Sequence, residues 1–119
     1  MKFKVADELD KEKHYTFLRT LQTEKRFKDR YDVEFNAQLG AILAKLTALD
    51  KNPTAQAYAD IVDLRFGQTR DKIVDAMYAK RNDEGGLYQN EETAEECQHL
   101  IDSGHINPTS VILALLKSI

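Results

Sequence analysis

The sequence of 119 residues predicts an all-α fold: a single-domain bundle of about five helices over residues 1–119, with a short extended segment at its start. Three observations predict it. Apolar residues recur every three or four positions from 35 to 49, as they do on one face of a helix. Asn is followed by Pro at 52–53 and at 107–108, a pair typical of helix starts. The chain also has no internal repeat and no linker-like composition.

Residues 1–35 fit two interpretations. Apolar and polar residues alternate around Phe3 and again around Val33, which is typical of half-buried strands. Helical spacing instead joins Leu9, His14, Phe17, Leu18 and Leu21. We favour a short extended start followed by a long charged helix, because no Gly or Pro interrupts residues 6–39 to turn a hairpin. Short strands are the alternative.

A core helix is predicted from Phe35, with a stripe formed by Leu39, Ile42, Leu43, Leu46 and Leu49, and it ends at residues 50–53. Asn52 is then expected to cap a helix that has Pro53 in its first position. Residues 53–82 are interpreted as two helices or one kinked helix with a hinge at Gly67. The expected buried residues in this stretch are Tyr58, Ile61, Val62, Leu64, Ile73, Val74, Met77 and Tyr78.

Residues 82–89 have turn composition and two adjacent glycines, so they are expected to form the most mobile internal loop. Asn90 begins the next predicted helix, which has acidic residues in its first turn and ends at Gly104. Asn107 and Pro108 then begin the last helix. These signals predict that one helix ends near Gly104 and that the next begins near Asn107.

The last helix is apolar around most of its circumference, and it is too short to cross a membrane. Its large side chains must therefore be covered by protein, either by the rest of the chain or by a partner. The residues expected to form a protein interface are Val111, Ile112, Leu115, Leu116 and Ile119.

Composition points to a cytoplasmic protein, because Cys97 is the single cysteine and the first residues lack the apolar segment of a signal peptide. The net charge of −3 is unevenly distributed. Residues 11–30 have seven basic against three acidic side chains, whereas residues 82–119 have seven acidic side chains and Lys117. Such asymmetry can steer an anionic partner or let copies pair head to tail.

The leading functional hypothesis is a non-enzymatic helical interaction or regulatory protein that acts by binding a protein partner or by assembling into a homo-oligomer. The apolar last helix motivates it, together with the lack of a coherent set of catalytic residues. We expect no catalytic residue, no cofactor, no metal and no membrane association.

A DNA-binding regulator is the first alternative. Residues 58–81 partly fit a helix-turn-helix with its turn at Gly67, and the residues expected to contact DNA are Gln68, Arg70, Lys72, Lys80 and Arg81. The fit is incomplete because Asp63 stands where a small residue normally lets the helices approach, and because the chain is acidic overall.

A small metal-dependent carboxylate enzyme is the second alternative. Glu92, Glu96 and His99 lie about one helical turn apart, and the last two have the Glu-x-x-His spacing of di-metal helical bundles. The rest of the sequence contains no second Glu-x-x-His motif, so the ligand set is incomplete.

Overall fold

The computed structural model describes residues 1–118, and over these residues the chain is an α+β protein with six helices and a four-stranded antiparallel sheet. The prediction of an all-α bundle is therefore wrong. The strands are β1 (Lys2–Ala6), β2 (His14–Leu18), β3 (Tyr78–Arg81) and β4 (Leu87–Tyr88). The helices are α1 (Leu21–Tyr31), α2 (Phe35–Lys51), α3 (Ala55–Val62), α4 (Leu64–Met77), α5 (Glu91–Asp102) and α6 (Pro108–Lys117).

The sheet has the strand order β1-β2-β3-β4. Phe3 pairs with Phe17, which in turn pairs with Tyr78, so alternate residues of three strands point to one face. The ring centroids lie 5.6 Å apart for Phe3 and Phe17 and 5.9 Å apart for Phe17 and Tyr78. All three side chains are buried, and this face of the sheet therefore belongs to the core.

The extended start forms β1, but the long charged helix expected to follow it is wrong over residues 14–18, which form β2. The hairpin between the two strands has no Gly or Pro because its turn uses an aspartate side chain. The buried Asp7 accepts hydrogen bonds from the backbone N–H groups of Leu9, at 2.8 Å, and Asp10, at 3.2 Å. The backbone N–H of Lys13 donates to the carbonyl of Asp10 at 3.0 Å and brings the chain back. Such Asx turns reverse a chain without a residue of special backbone freedom.

Helix α4 is the centre of the helical layer, and it contacts α1, α2, α3, α5 and α6. Ile73, Val74 and Met77 are fully buried, as the sequence predicts. The expected hinge at Gly67 is wrong, because α4 runs through this residue without a break. The helices separate at Asp63 instead, whose Oδ1 accepts the backbone N–H of Arg65 at 2.7 Å and so caps α4.

The β3–β4 hairpin corrects the loop predicted for residues 82–89, since the turn is confined to the residues between Arg81 and Leu87. Asn82 Oδ1 accepts the backbone N–H of Gly86 at 2.9 Å, and Gly85 has a φ of 84°. A positive φ favours glycine because a side chain would be strained there. The turn residues identified in the sequence are correct, whereas the flanking strands were not predicted.

The predicted starts of α5 and α6 are confirmed. Asn90 caps α5, and Asn107 caps α6 with Pro108 in its first turn. Gly104 follows α5 with a φ of 82°, as a helix-ending glycine does. The expected cap at Asn52 is wrong, because the hydroxyl of Thr54 accepts the backbone N–H of Ala57 and α3 begins two residues later than Pro53.

Candidate functional site: an apolar groove between α2, α3 and α6

The last helix is covered by its own chain on one side. Val111, Ile112 and Leu115 are fully buried, and α6 packs against α4 and β1. These three residues, which were expected to form a protein interface, therefore belong to the core. Ile119, the last residue of the expected interface, lies outside the described residues. The expectation that the apolar side chains of α6 must be covered is therefore met on this side by the rest of the same chain.

The other side of α6 remains accessible to solvent. Leu113 is 42% exposed and Leu116 is 37% exposed. Both line a groove of about 570 Å³ that is formed with residues of α2 and the segment leading to α3. We call this the apolar groove, and its lining residues are Leu46, Thr47, Leu49, Asp50, Pro53, Tyr58, Leu113 and Leu116.

Helix α3 borders this groove and is itself apolar. Six of its eight residues, in the sequence AQAYADIV, are Ala, Tyr, Ile or Val, yet in the described part of the chain none of them is buried. Tyr58 is 57% exposed and Val62 is 79% exposed, and Leu64 after it is also exposed. The prediction that these three side chains face the core is wrong, because α3 lies over α2 and α4 at the surface.

The groove is suited to binding by apolar contact. Among its described lining residues, Asp50 is the one charged side chain, and the others are mainly aliphatic or aromatic. Lys51 and Lys117 end the two helices that flank the groove. Charges at the edge of an apolar surface are the usual anatomy of a protein interface, with an apolar centre and a polar rim.

The five residues expected to contact DNA are divided between α4 and β3. Gly67 lies inside α4, so the turn expected between two helices of a DNA-binding motif is not formed at this residue. On α4, Gln68 is exposed, Arg70 Nη1 donates to Thr109 Oγ1 at 3.0 Å, and the Lys72 ammonium lies 5.0 Å from the Tyr31 ring centroid.

On β3, Lys80 and Arg81 line a separate cavity that does not include the three residues of α4. Lys80 Nζ donates to Glu96 Oε1 at 2.9 Å, and Arg81 Nη1 donates to the carbonyl of Gly85 at 3.0 Å. The five residues expected to contact DNA therefore do not line one common cavity in the structure.

Glu96, one of the three expected metal ligands, has other partners. Glu96 accepts hydrogen bonds from Tyr78 Oη at 3.1 Å and from Lys80 Nζ at 2.9 Å. Among residues 1–118, no group of three or more His, Cys, Asp or Glu side chains is placed to hold a metal ion. Glu92 and His99 therefore have no third acidic, histidine or cysteine ligand beside them in this part of the chain.

A buried carboxylate links three helices below the surface. Asp75 of α4 accepts hydrogen bonds at Oδ2 from Gln98 Nε2, at 2.8 Å, and from Tyr31 Oη, at 3.1 Å. Burial raises the pKa of Asp75 to about 6, although the hydrogen bond from Gln98 lowers it. Cys97 is also buried, and its burial raises the pKa of its thiol, which is therefore a poor nucleophile.

A second buried carboxylate, Asp7, joins the first hairpin to the segment before α6. Its oxygens accept hydrogen bonds from Tyr15 Oη at 2.8 Å and lie 3.1 Å from His105 Nδ1. Burial acts to raise the pKa of Asp7, but the hydrogen bonds from Leu9, Tyr15, Asp10 and His105 outweigh it and lower this pKa. Every partner is part of the surrounding fold, which indicates a structural role.

The groove was not identified in the sequence because its walls come from residues that are far apart in the chain. Leu46 and Leu49 were assigned to the core, and Tyr58 was expected to be buried. The one signal in the sequence was the excess of apolar residues on α6, which exceeds what a single covered face requires.

In residues 1–118, no helix combines the length and the apolar character that crossing a membrane requires. Comparison with protein-family models, with curated proteins and with solved structures shows no match to this chain.

Proposed function

We propose that this protein acts by protein–protein binding, and that the apolar groove and the adjoining helix α3 form its interface with a second copy of the same chain. The single observation that supports this proposal most strongly is α3, an apolar helix without a buried residue in the described part of the chain. Exposed apolar surface next to a groove of the same character is typical of interaction sites.

A second copy fits because the ridge and the groove lie side by side. In a two-fold symmetric dimer the same patch of both copies meets, so α3 of each copy can enter the groove of the other. The charges of this region have both signs, because Asp50 lines the groove and Lys51 and Lys117 are the last residues of the two helices that flank it. A symmetric arrangement can therefore place opposite charges against each other and avoid self-repulsion.

The energetics predict a reversible dimer. Complete burial of a large apolar side chain contributes about 1.5–3 kcal/mol. Only the exposed fraction of each side chain adds to the free energy of association, and the side chains concerned are Tyr58, Val62, Leu113 and Leu116. This amounts to roughly 3–6 kcal/mol per copy as an upper value. Association costs about 4–15 kcal/mol in lost freedom of motion. The gain of two copies, about 6–12 kcal/mol, exceeds the lowest value of this cost by at most about 8 kcal/mol, which corresponds to a dissociation constant no tighter than about 1 μM.

Sedimentation equilibrium over a wide range of protein concentrations tests the proposal. We expect the mass to rise from that of a monomer towards that of a dimer. The double variant Val62→Asp/Leu116→Asp places one charge on α3 and one in the groove, and it should remain monomeric. The matched control is Leu9→Asp/Leu21→Asp, which also introduces two Asp residues in place of exposed aliphatic side chains, but outside the groove.

Circular dichroism tests whether both double variants retain the helical content of the parent chain, as we expect for substitutions of exposed side chains. A parent chain that stays monomeric at the highest concentration would refute self-association. An equal loss of dimer in the groove variant and in the control would also refute the assignment of the interface to the groove.

A further inference from the structure

The two β-hairpins separate after a short shared region. β2 and β3 pair at Thr16 with Ala79 and at Phe17 with Tyr78. On one side of this region, His14 of β2 is paired with β1, whereas Arg81 of β3 is paired with β4. The strands therefore part, and residues from both faces of the sheet line the cleft between them.

This cleft has a volume of about 400 Å³ and a basic lining. Tyr15 and Tyr78 form its floor, and both rings are buried. Glu96 and Leu100 of α5 also line it. Its walls carry four cationic side chains and a histidine, from three strands and the turn before β2: Lys4, Lys13, His14, Lys80 and Arg81.

The positive charge of the cleft is only partly neutralised. Glu96 offsets Lys80, to which it is bonded at 2.9 Å. Lys4, Lys13 and Arg81 are exposed, and Arg81 uses one guanidinium N–H on the carbonyl of Gly85 while the fork retains others for a ligand. The four cations against Glu96 leave an excess of three positive charges around one cavity.

We propose that this cleft binds a small ligand that carries two or more phosphate charges, such as a pyrophosphate group. Arg and Lys side chains recognise phosphate oxygens by charge-assisted hydrogen bonds, and Arg can do so with two parallel bonds. The cavity volume lies within the range of small-molecule sites, about 300–1,000 Å³. This proposal concerns a site other than the apolar groove and does not depend on self-association.

The floor of the cleft argues against the recognition of a nucleobase. Tyr15 Oη donates to Asp7 at 2.8 Å and Tyr78 Oη donates to Glu96 at 3.1 Å. With both rings buried and both hydroxyl groups engaged, no aromatic face of these two residues is free to stack on a base. Binding therefore depends on the charged part of the ligand.

Titration with sodium pyrophosphate at low salt tests the site. The chain has no Trp, so intrinsic fluorescence reports its five Tyr residues, two of which form the cleft floor. We expect saturable binding with one site per chain. The double variant Lys13→Gln/Arg81→Gln should bind about a hundredfold more weakly, because each lost charged hydrogen bond is worth about tenfold.

The matched control is Lys25→Gln/Arg65→Gln, which lowers the net charge equally at one exposed lysine and one exposed arginine outside the cleft. It should bind within about threefold of the parent chain, since it removes only diffuse attraction. Equal weakening in both double variants would overturn the proposal, as would the lack of saturable binding in the parent chain. Binding of a short single-stranded oligonucleotide without binding of pyrophosphate would overturn it too, and would identify a nucleic-acid contact instead.

Discussion

Replacement of Asp75 by Asn should stabilise the protein at neutral pH. The Asp75 carboxyl is buried between α1, α4 and α5, and both of its hydrogen-bond donors, Gln98 and Tyr31, reach Oδ2. An Asn side chain keeps one carbonyl oxygen that can accept both bonds, and it removes the charge. The variant therefore removes the cost of burying an ionised group, and it places an amide NH2 at the position of Oδ1.

The magnitude follows from the pKa of this carboxyl, which rises from its usual 3.8 to about 6 in the folded protein. Between these two values the folded state holds a proton that the unfolded state has lost. The free energy of unfolding therefore decreases as the pH rises through this window, in total by about 3 kcal/mol. Above pH 6 the parent chain bears the whole penalty, and Asp75→Asn should be more stable by up to about 3 kcal/mol.

Urea unfolding at a series of pH values from 4 to 7, followed by circular dichroism, measures this effect. The difference in unfolding free energy between Asp75→Asn and the parent chain should grow across the window and level off above it. Asp29→Asn removes a carboxylate from the exposed side of α1 and serves as the control. A constant difference between Asp75→Asn and the parent across this pH range would refute the reasoning.

Three further predictions use the same unfolding assay. Leu115→Ala should destabilise the protein by about 2–5 kcal/mol because it opens a cavity in the core, whereas Leu116→Ala should cost less than about 1 kcal/mol. Gly40→Ala in α2, where an added Cβ has open space, should stabilise by about 0.5–1 kcal/mol, and Gly104→Ala should destabilise because of its positive φ. Gln89→Leu should cost about 1–3 kcal/mol, since Gln89 Nε2 bonds three backbone carbonyls, among them that of Met77 at 2.9 Å.

Local signals in the sequence were sufficient for the helix ends that depend on a single residue. Asn90 and Asn107 cap the helices that follow them, and Gly104 ends α5, because a cap depends on a side chain and the backbone within three residues of it. The stripe that begins at Phe35 also predicted the first residue of α2 and an end within residues 50–53, and the helix ends at Lys51. In each case the determining interaction lies within a few residues.

The strands were harder to predict because their evidence is short or shared with a helical pattern. Phe17 fits the spacing of a helix as well as the alternation of β2. The helix is favoured from the sequence because no Gly or Pro is present to turn the chain. Asp7 supplies the turn through its carboxylate, which accepts the backbone N–H groups of Leu9 and Asp10. β3 has four residues and follows α4 directly, so Tyr78 continues the apolar pattern of the helix.

The candidate site depends on packing between distant segments, which local patterns do not encode. The apolar excess of α6 correctly indicated that its side chains must be covered, but two coverings are possible and the pattern of the helix is the same for both. The fold buries Val111, Ile112 and Leu115 against α4 and β1 and leaves Leu113 and Leu116 beside α2. The exposure of Leu113 and Leu116 is set by how α2, α3 and α6 border the groove, so their availability to a partner is a property of the packed molecule.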